Sequence, residues 1–485
     1  MSPLDLLVAV PLALMIAALL LGTWVRWLLL TAIPVMAGLT VWLLLLPEGS
    51  AHVVGDWNLP LGVQLRADGL AQMMVGATAA CASLIGLYAL HEFAPGPDRS
   101  ETAHGFAFWP LFYLLWGGAN AGFLSTDLFN LYIALEMVSL AAVAMAAMGS
   151  LRAALRYFVI ALVGSLAYLL GVALLFSNYA TVDLTLLAAT ARPDLATKTA
   201  LAVMTAGLLI KAAVFPLHGW LPPAHAAAPA PASALLSAIV VKVGFVILLR
   251  LWFEAFPTIV APAGLEVLGW LGALAVLYGS VQAIRQNVLK ALVAYSTVAQ
   301  IGYLLLAFPL VATAAGTGGA WAGMTIHAVA HLLAKAAMFL AAGLMLEAVN
   351  GKRLEDLRGL ARAMPLTVAA FGLAAVSLMG LPPSVGFIAK FLLLEAAVEQ
   401  GAVFAAAVLL IGGLLGAVYL FSPLAWTFAG SDTPVVVSRA PLRTAAPLAL
   451  ALLAVSLGFA GQAMVEVTAG APWAGPPTAV AVDVR

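Results

Sequence analysis

The 485-residue sequence has little charge and only one cysteine. Charged residues make up 9% of the chain, whereas a soluble globular chain carries about 25%. With 64% hydrophobic residues, this scarcity excludes a soluble protein and predicts an all-α polytopic membrane protein. The single cysteine, Cys81, excludes a disulfide framework, an iron–sulfur site and haem ligation by thiolate.

Several recognition motifs are also missing. The net charge is zero and neither a polybasic stripe nor zinc-finger spacing occurs, so we expect no nucleic-acid partner. The chain has no dinucleotide fingerprint and no P-loop, and we expect no cofactor. No nucleophile–base pair stands out, so the sequence does not predict an enzyme.

Long apolar runs dominate what is present. About 20 apolar residues cross the ~30 Å hydrocarbon core of a bilayer. We expect the first run to be a transmembrane helix rather than a cleaved signal peptide, because it lacks a basic leader. The connection 47–68 alternates weakly and predicts an extraplasmic hairpin. The sequence predicts about fourteen spans, at 4–22, 27–46, 69–91, 106–123, 127–148, 155–177, 199–220, 229–251, 263–284, 290–309, 320–347, 365–399, 403–428 and 443–462.

The basic residues in the loops predict the orientation of the chain. With both termini outside, the cytoplasmic loops hold more lysine and arginine than the outer loops, as the positive-inside rule requires. The predicted cytoplasmic set is Arg26, Arg99, Arg152, Arg156, Arg285, Lys290, Lys352, Arg353, Arg358, Arg362, Arg439 and Arg443. The predicted outer set is Arg66, Arg192, Lys198, Arg250 and Arg485.

The four remaining basic residues lie within spans, and all four are lysine: Lys211, Lys242, Lys335 and Lys390. An ionised side chain at the bilayer centre costs at least ~2.5 kcal/mol, and such residues usually mark an ion path. A buried lysine can release its proton near neutrality, whereas arginine stays charged. Four lysines with no buried arginine therefore favour a proton path. The alternative is that each lysine snorkels to the headgroups.

Glu136 is predicted to be the one acidic residue deep in a span, and Lys211 is its expected partner. Both would stay charged when close, and Lys211 would be ready to release its proton when they separate. A static ion pair that only holds helices together is the alternative.

His327, His331 and Lys335 follow one another at intervals of four residues and so share one helix face. A proton relay through imidazole is one interpretation. A histidine pair satisfied within the core and a metal site are the others, although no third metal ligand is in view. Small residues that permit close helix contact occur nearby, at Gly164, Ser165, Gly171, Ser233 and Ser237.

Prolines lie close to two of the membrane lysines: they follow Lys211 and precede Lys390. Proline removes a backbone donor, and freed carbonyls in a membrane are tolerated only beside protein or water. We therefore expect helices seven and twelve to be broken next to Lys211 and Lys390. The residues that predict these breaks are Pro216, Pro222, Pro223, Pro382 and Pro383.

The two breaks also predict an internal repeat. Spans four to eight and nine to thirteen superpose as two five-helix units, inverted because five is odd, and paired broken helices point to a transport site. The expected segments are 1–105 (three N-terminal helices), 106–252 (first unit), 263–428 (inverted second unit) and 429–485 (last helix and tail).

Four stretches resemble the antiporter-like proton-translocating subunits of respiratory complex I, membrane-bound hydrogenases and Mrp-type cation/proton antiporters. They are "KAAVFPLHGWLPPAHAAAPAPASALLSAIVVKVGFVILLR", "LKALVAYSTVAQIGYLLLA", "HAVAHLLAKAAMFLAAG" and "GLPPSVGFIAKF". The likeness covers about residues 65 to 430. It implies a fourteen-helix fold with inverted five-helix repeats and a polar axis midway through the membrane. The family's functional positions fall on Glu136, Lys211, Lys242, His327, His331, Lys335 and Lys390.

Within that superfamily the chain looks most like the D-type subunit of an Mrp antiporter. The stretch "STDLFNLYIALEM", the length and Lys390 favour this branch, while His218 and His225 in "HGWLPPAHAAAPAPASALLS" are similar to complex I and hydrogenase subunits. The resemblance implies companion subunits of the A, B, C, E, F and G type and a bacterial inner membrane. In the complex I alternative the chain would be part of a translocase.

The expected function is proton translocation coupled to cation transport, with sodium the expected cation. A proton would reach Lys211 beside Glu136, pass Lys242 and the histidines, and leave at Lys390. Sodium would cross elsewhere in the assembly, because cations prefer oxygen ligands and this chain has one deep carboxylate. An organic-solute transporter and a purely structural subunit are the rival interpretations.

Overall fold

The computed structural model describes residues 2–57, 59–93, 102–313, 318–430 and 440–468, and these are almost entirely helical. The α-helices are α1 Pro3–Leu20, α2 Val25–Leu45, α3 Gly69–Glu92, α4 Ala103–Leu124, α5 Leu128–Ala147, α6 Leu151–Tyr179, α7 Leu184–Thr190, α8 Leu195–Lys211, α9 Leu221–Ala227, α10 Ala230–Leu235, α11 Val241–Leu249, α12 Pro262–Ile284, α13 Leu289–Thr313, α14 Gly319–Val349, α15 Leu360–Ala363, α16 Pro365–Met379, α17 Val385–Glu399, α18 Val403–Phe428, α19 Pro441–Ser456 and α20 Gly461–Val467. Leu236–Val240 and Arg250–Ala255 are π-helical, and 3₁₀ turns occupy Gly22–Trp24, Val54–Asp56, Leu354–Leu357 and Leu457–Ala460.

The all-α membrane architecture is confirmed. Among the described residues, eleven helices are long and apolar enough to cross a membrane. Helix α4, helix α8 and the broken pair α16 with α17 occupy the other predicted spans, and α9 follows the end of the predicted span 199–220. The total of fourteen spans stays a prediction. Three residues used to predict the orientation, Arg99, Arg439 and Arg485, lie outside the described residues.

The connection 47–68 forms the expected hairpin. Strand β1 (Ser50–Val53) pairs antiparallel with β2 (Gln64–Ala67), in the register that sets Ser50 opposite Ala67. A further bridge joins Leu65 to Ser125 at the end of α4, so the hairpin rests on the helical bundle.

The most buried helices carry most of the predicted polar residues. The apolar window of the continuous segment Ala230–Ala255 is 100% buried, and the windows in Leu289–Ala312 and Gly319–Val349 are each 89% buried. By contrast, the windows of α1 and α6 are only 28% and 39% buried. Lysines on the central helices therefore cannot snorkel to headgroups in the way that lysines on α1 or α6 would.

The first break follows Lys211 directly. Helix α8 ends at Lys211, and Ala213 has a φ of +55°, which stops the helix. Pro216 lies in the turn that follows. Pro222 and Pro223 instead lie in the first turn of α9, where a proline fits because no helical partner is lost. These two prolines start a helix rather than break one.

The second break frees two carbonyls of α16. Pro382 and Pro383 lie four residues after the last two residues of that helix and have no N–H to donate. The carbonyls of Leu378 and Met379 therefore lack their helical donors. The ammonium of Lys390 replaces both: its Nζ lies 2.7 Å from the Leu378 oxygen and 3.3 Å from the Met379 oxygen.

Candidate functional site

Glu136 of α5 and Lys211 of α8 form an ion pair. Lys211 Nζ lies 3.1 Å from Glu136 Oε1 and donates a second hydrogen bond to Ser139 Oγ at 2.7 Å. Ser165 of α6 donates to the same carboxylate oxygen. The lysine side chain is 5% exposed, so protein groups surround it.

Small residues let α6 and α8 approach closely enough to build this pair. A Cβ on Gly207 would lie 2.4 Å from the carbonyl oxygen of Gly164, and one on Gly171 would lie 2.2 Å from Met204 Cγ. The close contact predicted from Gly164 and Gly171 is therefore present. It places Ser165 beside the Glu136 carboxylate.

Lys242 lies at the start of α11 and is fully buried. Its Nζ donates to the carbonyl of Ser237 at 2.6 Å, in the π-helical turn that joins α10 to α11. The Ser237 hydroxyl lies 2.9 Å from Thr297 Oγ1 of α13. Ser237 thus connects Lys242 to α13. Single π-helical turns often occur at functional sites.

Lys335 of α14 is also fully buried and contacts α13. Its Nζ donates to the carbonyl of Val293 at 2.9 Å and to Ser296 Oγ. Both acceptors are uncharged. In the described part of the chain Lys335 forms no ion pair with a carboxylate.

His327 and His331 share one face of α14, as predicted, with ring centroids 6.5 Å apart. His327 Nε2 lies 3.3 Å from the carbonyl oxygen of Gln300. Both ring nitrogens of His331 are buried, and neither has a hydrogen-bond partner among the described residues. Within the same residues no group of three or more potential metal ligands occurs.

Lys390 contacts α13 as well as the broken end of α16. Its Nζ lies 4.4 Å above the ring of Tyr303, a cation–π distance. Gln300 Nε2 donates to the Leu378 carbonyl at 3.2 Å, which is also the acceptor for Lys390. The Tyr303 ring packs edge-on against His327 with centroids 5.6 Å apart. These contacts connect Lys390 with the histidine face.

One face of α13 therefore contacts the side chains of His327, Lys335 and Lys390. Sequence reasoning assigned no site residue to this helix, although polar and aromatic side chains recur there at intervals of three or four residues. That periodicity is the signal that was available. The residues are Ser296, Thr297, Gln300 and Tyr303.

The seven predicted residues are not all in direct contact. In the described ranges, no hydrogen bond joins Lys211 to Lys242 or Lys242 to Lys335. The structure forms one compact pair at Glu136 and Lys211, and one connected group from Lys242 through α13 to Lys390. We call the Glu136–Lys211 pair and this connected group together the polar axis.

The expectation that no arginine is buried is wrong for Arg250, which the sequence placed at the outer end of the predicted span 229–251. Arg250 is fully buried in a π-helical turn that extends its span to Ala255. It pairs with Asp68 and Glu254, each at 2.8 Å, and donates to the carbonyl of Phe123. Glu254, with 7% of its side chain exposed, is therefore a further buried acidic residue. The two carboxylates balance the charge of this guanidinium, which stays protonated.

Two further histidines lie near the axis. His225 is fully buried and stacks on Phe339 with ring centroids 4.6 Å apart. Its two ring nitrogens have no partner among the described residues. His218 lies in the first break, against Phe215 and Tyr278.

Comparisons with known proteins find relatives over most of the chain. Residues 125–416 match the family described as "NADH:quinone oxidoreductase/Mrp antiporter, TM". The chain is 38% identical over 377 residues to "NADH-quinone oxidoreductase subunit N" of Desulforudis audaxviator, covering 76% of this chain and 74% of the relative. It is 31% identical over 373 residues to the D-type subunit of the Na(+)/H(+) antiporter of Alkalihalophilus pseudofirmus, covering 75% and 72%.

A solved structure shares the fold over nearly the whole chain. A chain of the Mrp complex from Dietzia sp. DQ12-45-1b superposes with a TM-score of 0.86 at 25% identity, covering 97% of this chain and 96% of that one. Because the family match spans more than half of the sequence, this chain belongs to the NADH:quinone oxidoreductase/Mrp antiporter transmembrane family.

Proposed function

We propose that this chain is the proton-translocating membrane subunit of a multisubunit cation/proton antiporter, with sodium as the coupled cation. The observation that carries the proposal is the Glu136–Lys211 pair at the point where α8 breaks. Burying two charges in the membrane is expensive, and a broken helix is tolerated where protein or water satisfies the backbone. The relative named as a Na(+)/H(+) antiporter component supports the same class of activity.

In this proposal Lys211 receives a proton beside Glu136 and passes it towards Lys242 and the histidine face. The proton then reaches Lys335 and Lys390 and leaves beside the second break. Lysines held by carbonyls and hydroxyls suit this role, because such oxygens accept a hydrogen bond from an ammonium and from a neutral amine alike. Charge couples the steps, because a proton on one amine repels a proton on its neighbour.

The repeat and the orientation belong to the same proposal. Segments 106–252 and 263–428 are two inverted units, each with one broken helix, and the segments 1–105 and 429–485 flank them. The chain spans a bacterial inner membrane with both termini outside the cytoplasm. A cysteine introduced at Glu48, in the hairpin connection, then reacts with an impermeant maleimide added outside intact cells. One introduced at Arg285 reacts only after permeabilisation.

Transport by reconstituted vesicles tests the function. Lys211→Ala and Glu136→Ala are each expected to abolish cation-driven proton movement while the subunit still assembles. The reason is that, in this proposal, the pair receives the proton first. Glu266→Ala removes an exposed carboxylate at the start of α12 and serves as the matched control. Full-rate antiport by either axis variant would contradict the proposal.

A second function has a specific observation in its favour. The 38% identity to a subunit named NADH-quinone oxidoreductase subunit N favours a proton-pumping membrane subunit of respiratory complex I or a related hydrogenase. The polar axis would serve either assembly. Chains that co-purify with this subunit distinguish the two: small companions of the A, B, C, E, F and G type indicate the antiporter, and iron–sulfur subunits indicate the respiratory enzyme.

A further inference from the structure

A large cavity opens among helix ends, apart from the polar axis. Its volume is about 820 Å³, within the ~300–1,000 Å³ typical of small-molecule sites. The end of α3, the α5–α6 and α12–α13 connections, the end of α14 and the start of α19 enclose it. Five basic side chains line it: Arg152, Arg156, Lys290, Lys352 and Arg443.

The acidic side chains in the lining are already engaged by one arginine. Arg443 pairs with Glu347, with Nη1 2.9 Å from Oε1, and lies 3.8 Å from Glu92. Its Nε is buried and has no hydrogen-bond partner among the described residues. Both carboxylates are thus directed to Arg443, which leaves the rest of the lining cationic.

Four of the basic side chains form no ion pair within the ranges that the structure describes: Arg152, Arg156, Lys290 and Lys352. Lys290 instead donates to the carbonyl of Ala228 at 2.9 Å. The long helix α6 begins at the same wall, after Ser150, and its N-terminus adds partial positive charge. A cavity of this charge repels sodium ions and attracts anions.

We propose that this cavity binds a phosphate-bearing anion. Arginine forks bind phosphate oxygens through paired hydrogen bonds, and lysine adds a mobile point charge. Basic pockets between transmembrane helices on the cytoplasmic side bind anionic lipid headgroups, and all five basic residues belong to the predicted cytoplasmic set. The phosphate is carried either by such a lipid or by a soluble molecule, and the chemistry of recognition is the same.

Two arms of one experiment distinguish these sources. In the first, the full-length chain is placed in nanodiscs of phosphatidylcholine with or without phosphatidylglycerol, and native mass spectrometry measures the phosphatidylglycerol retained. In the second, thermal unfolding in phosphatidylcholine alone is followed as inorganic phosphate replaces chloride at constant ionic strength. Retention of phosphatidylglycerol indicates a lipid ligand, and stabilisation by phosphate indicates a soluble one.

The double variant Arg152→Gln with Lys352→Gln tests the site itself. Both side chains are exposed and unpaired, so their loss leaves the fold intact. We expect roughly thirtyfold weaker binding in whichever arm is positive, because the two lost residues each contribute about 1 kcal/mol to binding an anionic headgroup and about 1.4 kcal/mol corresponds to a tenfold change. Arg285→Gln with Arg362→Gln removes equal charge on the same predicted face, outside the cavity, and is expected to leave binding unchanged.

Three results would overturn the proposal. The first is the absence of both phosphatidylglycerol retention and phosphate stabilisation in the unaltered chain. The second is equal loss of binding in the cavity variant and the control variant, which would indicate general surface charge. The third is unaltered binding in the cavity variant.

Discussion

Lys390 of α17 and Gln300 of α13 donate hydrogen bonds to one backbone oxygen, the carbonyl of Leu378. The distances are 2.7 Å from Lys390 Nζ and 3.2 Å from Gln300 Nε2. This carbonyl has no N–H donor within its own helix, because Pro382 occupies the position of that donor. The break thus provides the acceptor that joins the last lysine of the axis to the central helix.

Replacement of Gln300 by leucine tests this connection. Gln300→Leu removes two neutral hydrogen bonds, to the Leu378 carbonyl and to the Tyr419 hydroxyl, which costs about 1–2 kcal/mol of stability, and it separates α13 from the Lys390 acceptor. We expect the protein to assemble and proton movement in vesicles to fall several-fold. Gln286→Leu is the matched control, because Gln286 donates only to the carbonyl of Gln282 at a helix end. Equal transport by the two variants would contradict a role for Gln300.

Gly380 positions Lys390 at the end of α16. Its φ of +82° favours glycine, and a Cβ there would lie 2.7 Å from Lys390 Cδ. Gly380→Ala therefore strains the backbone by about 1–2 kcal/mol and also displaces the lysine chain. Gly401→Ala is the matched control: Gly401 has a φ of +65°, but its Cβ would meet nothing within 4 Å.

The two alanine variants are expected to lose similar stability in thermal unfolding. Only Gly380→Ala is expected to slow proton transport, because only that substitution moves a residue of the axis. A transport defect of the same size in Gly401→Ala would assign the effect to backbone strain instead.

Asp68 links the N-terminus of α3 to Arg250 and makes the stability of the fold depend on pH in the acid range. Burial alone would raise the pKa of this carboxyl, but attraction to Arg250 and Arg66 outweighs it and lowers the pKa from 3.8 to about 2. A carboxyl with a depressed folded-state pKa stabilises the fold above its unfolded pKa. That stabilisation is lost as the pH falls from about 4 to about 2.

Asp68→Asn keeps the cap of α3 and removes the charge. We expect it to lose roughly 2 kcal/mol of unfolding free energy at neutral pH and to show a flatter stability profile below pH 4. Asp194→Asn alters another helix cap that has no arginine ion pair, and it is expected to change little. An unchanged acid profile in Asp68→Asn would show that this ion pair does not stabilise the fold.

The sequence predicted the features that depend on local composition. Apolar runs predicted the spans, and the prolines near Lys211 and Lys390 predicted the two broken helices. The partner of Glu136 was predictable because a buried carboxylate needs a cation and a membrane lysine is its natural partner. That ion pair is present in the structure.

The features that the sequence did not predict depend on tertiary contacts. Arg250 looked like a residue at the end of a span because the predicted span stopped at 251, and only the fold brings Asp68 and Glu254 beside it. The polar face of α13, with Thr297 and Gln300, makes its hydrogen bonds only after neighbouring helices pack around it, so its role depends on the tertiary fold. Helix periodicity could identify that face, but not its partners.

The most direct test of the central claim is proton transport by Lys211→Arg. Arginine keeps a positive charge beside Glu136 and can maintain the ion pair, but it does not release its proton. If the buried amines carry protons, this variant assembles with near-normal stability and its vesicles show no cation-driven proton movement. Transport by Lys211→Arg at the rate of the unaltered protein would show that the pair is structural, and it would contradict the account.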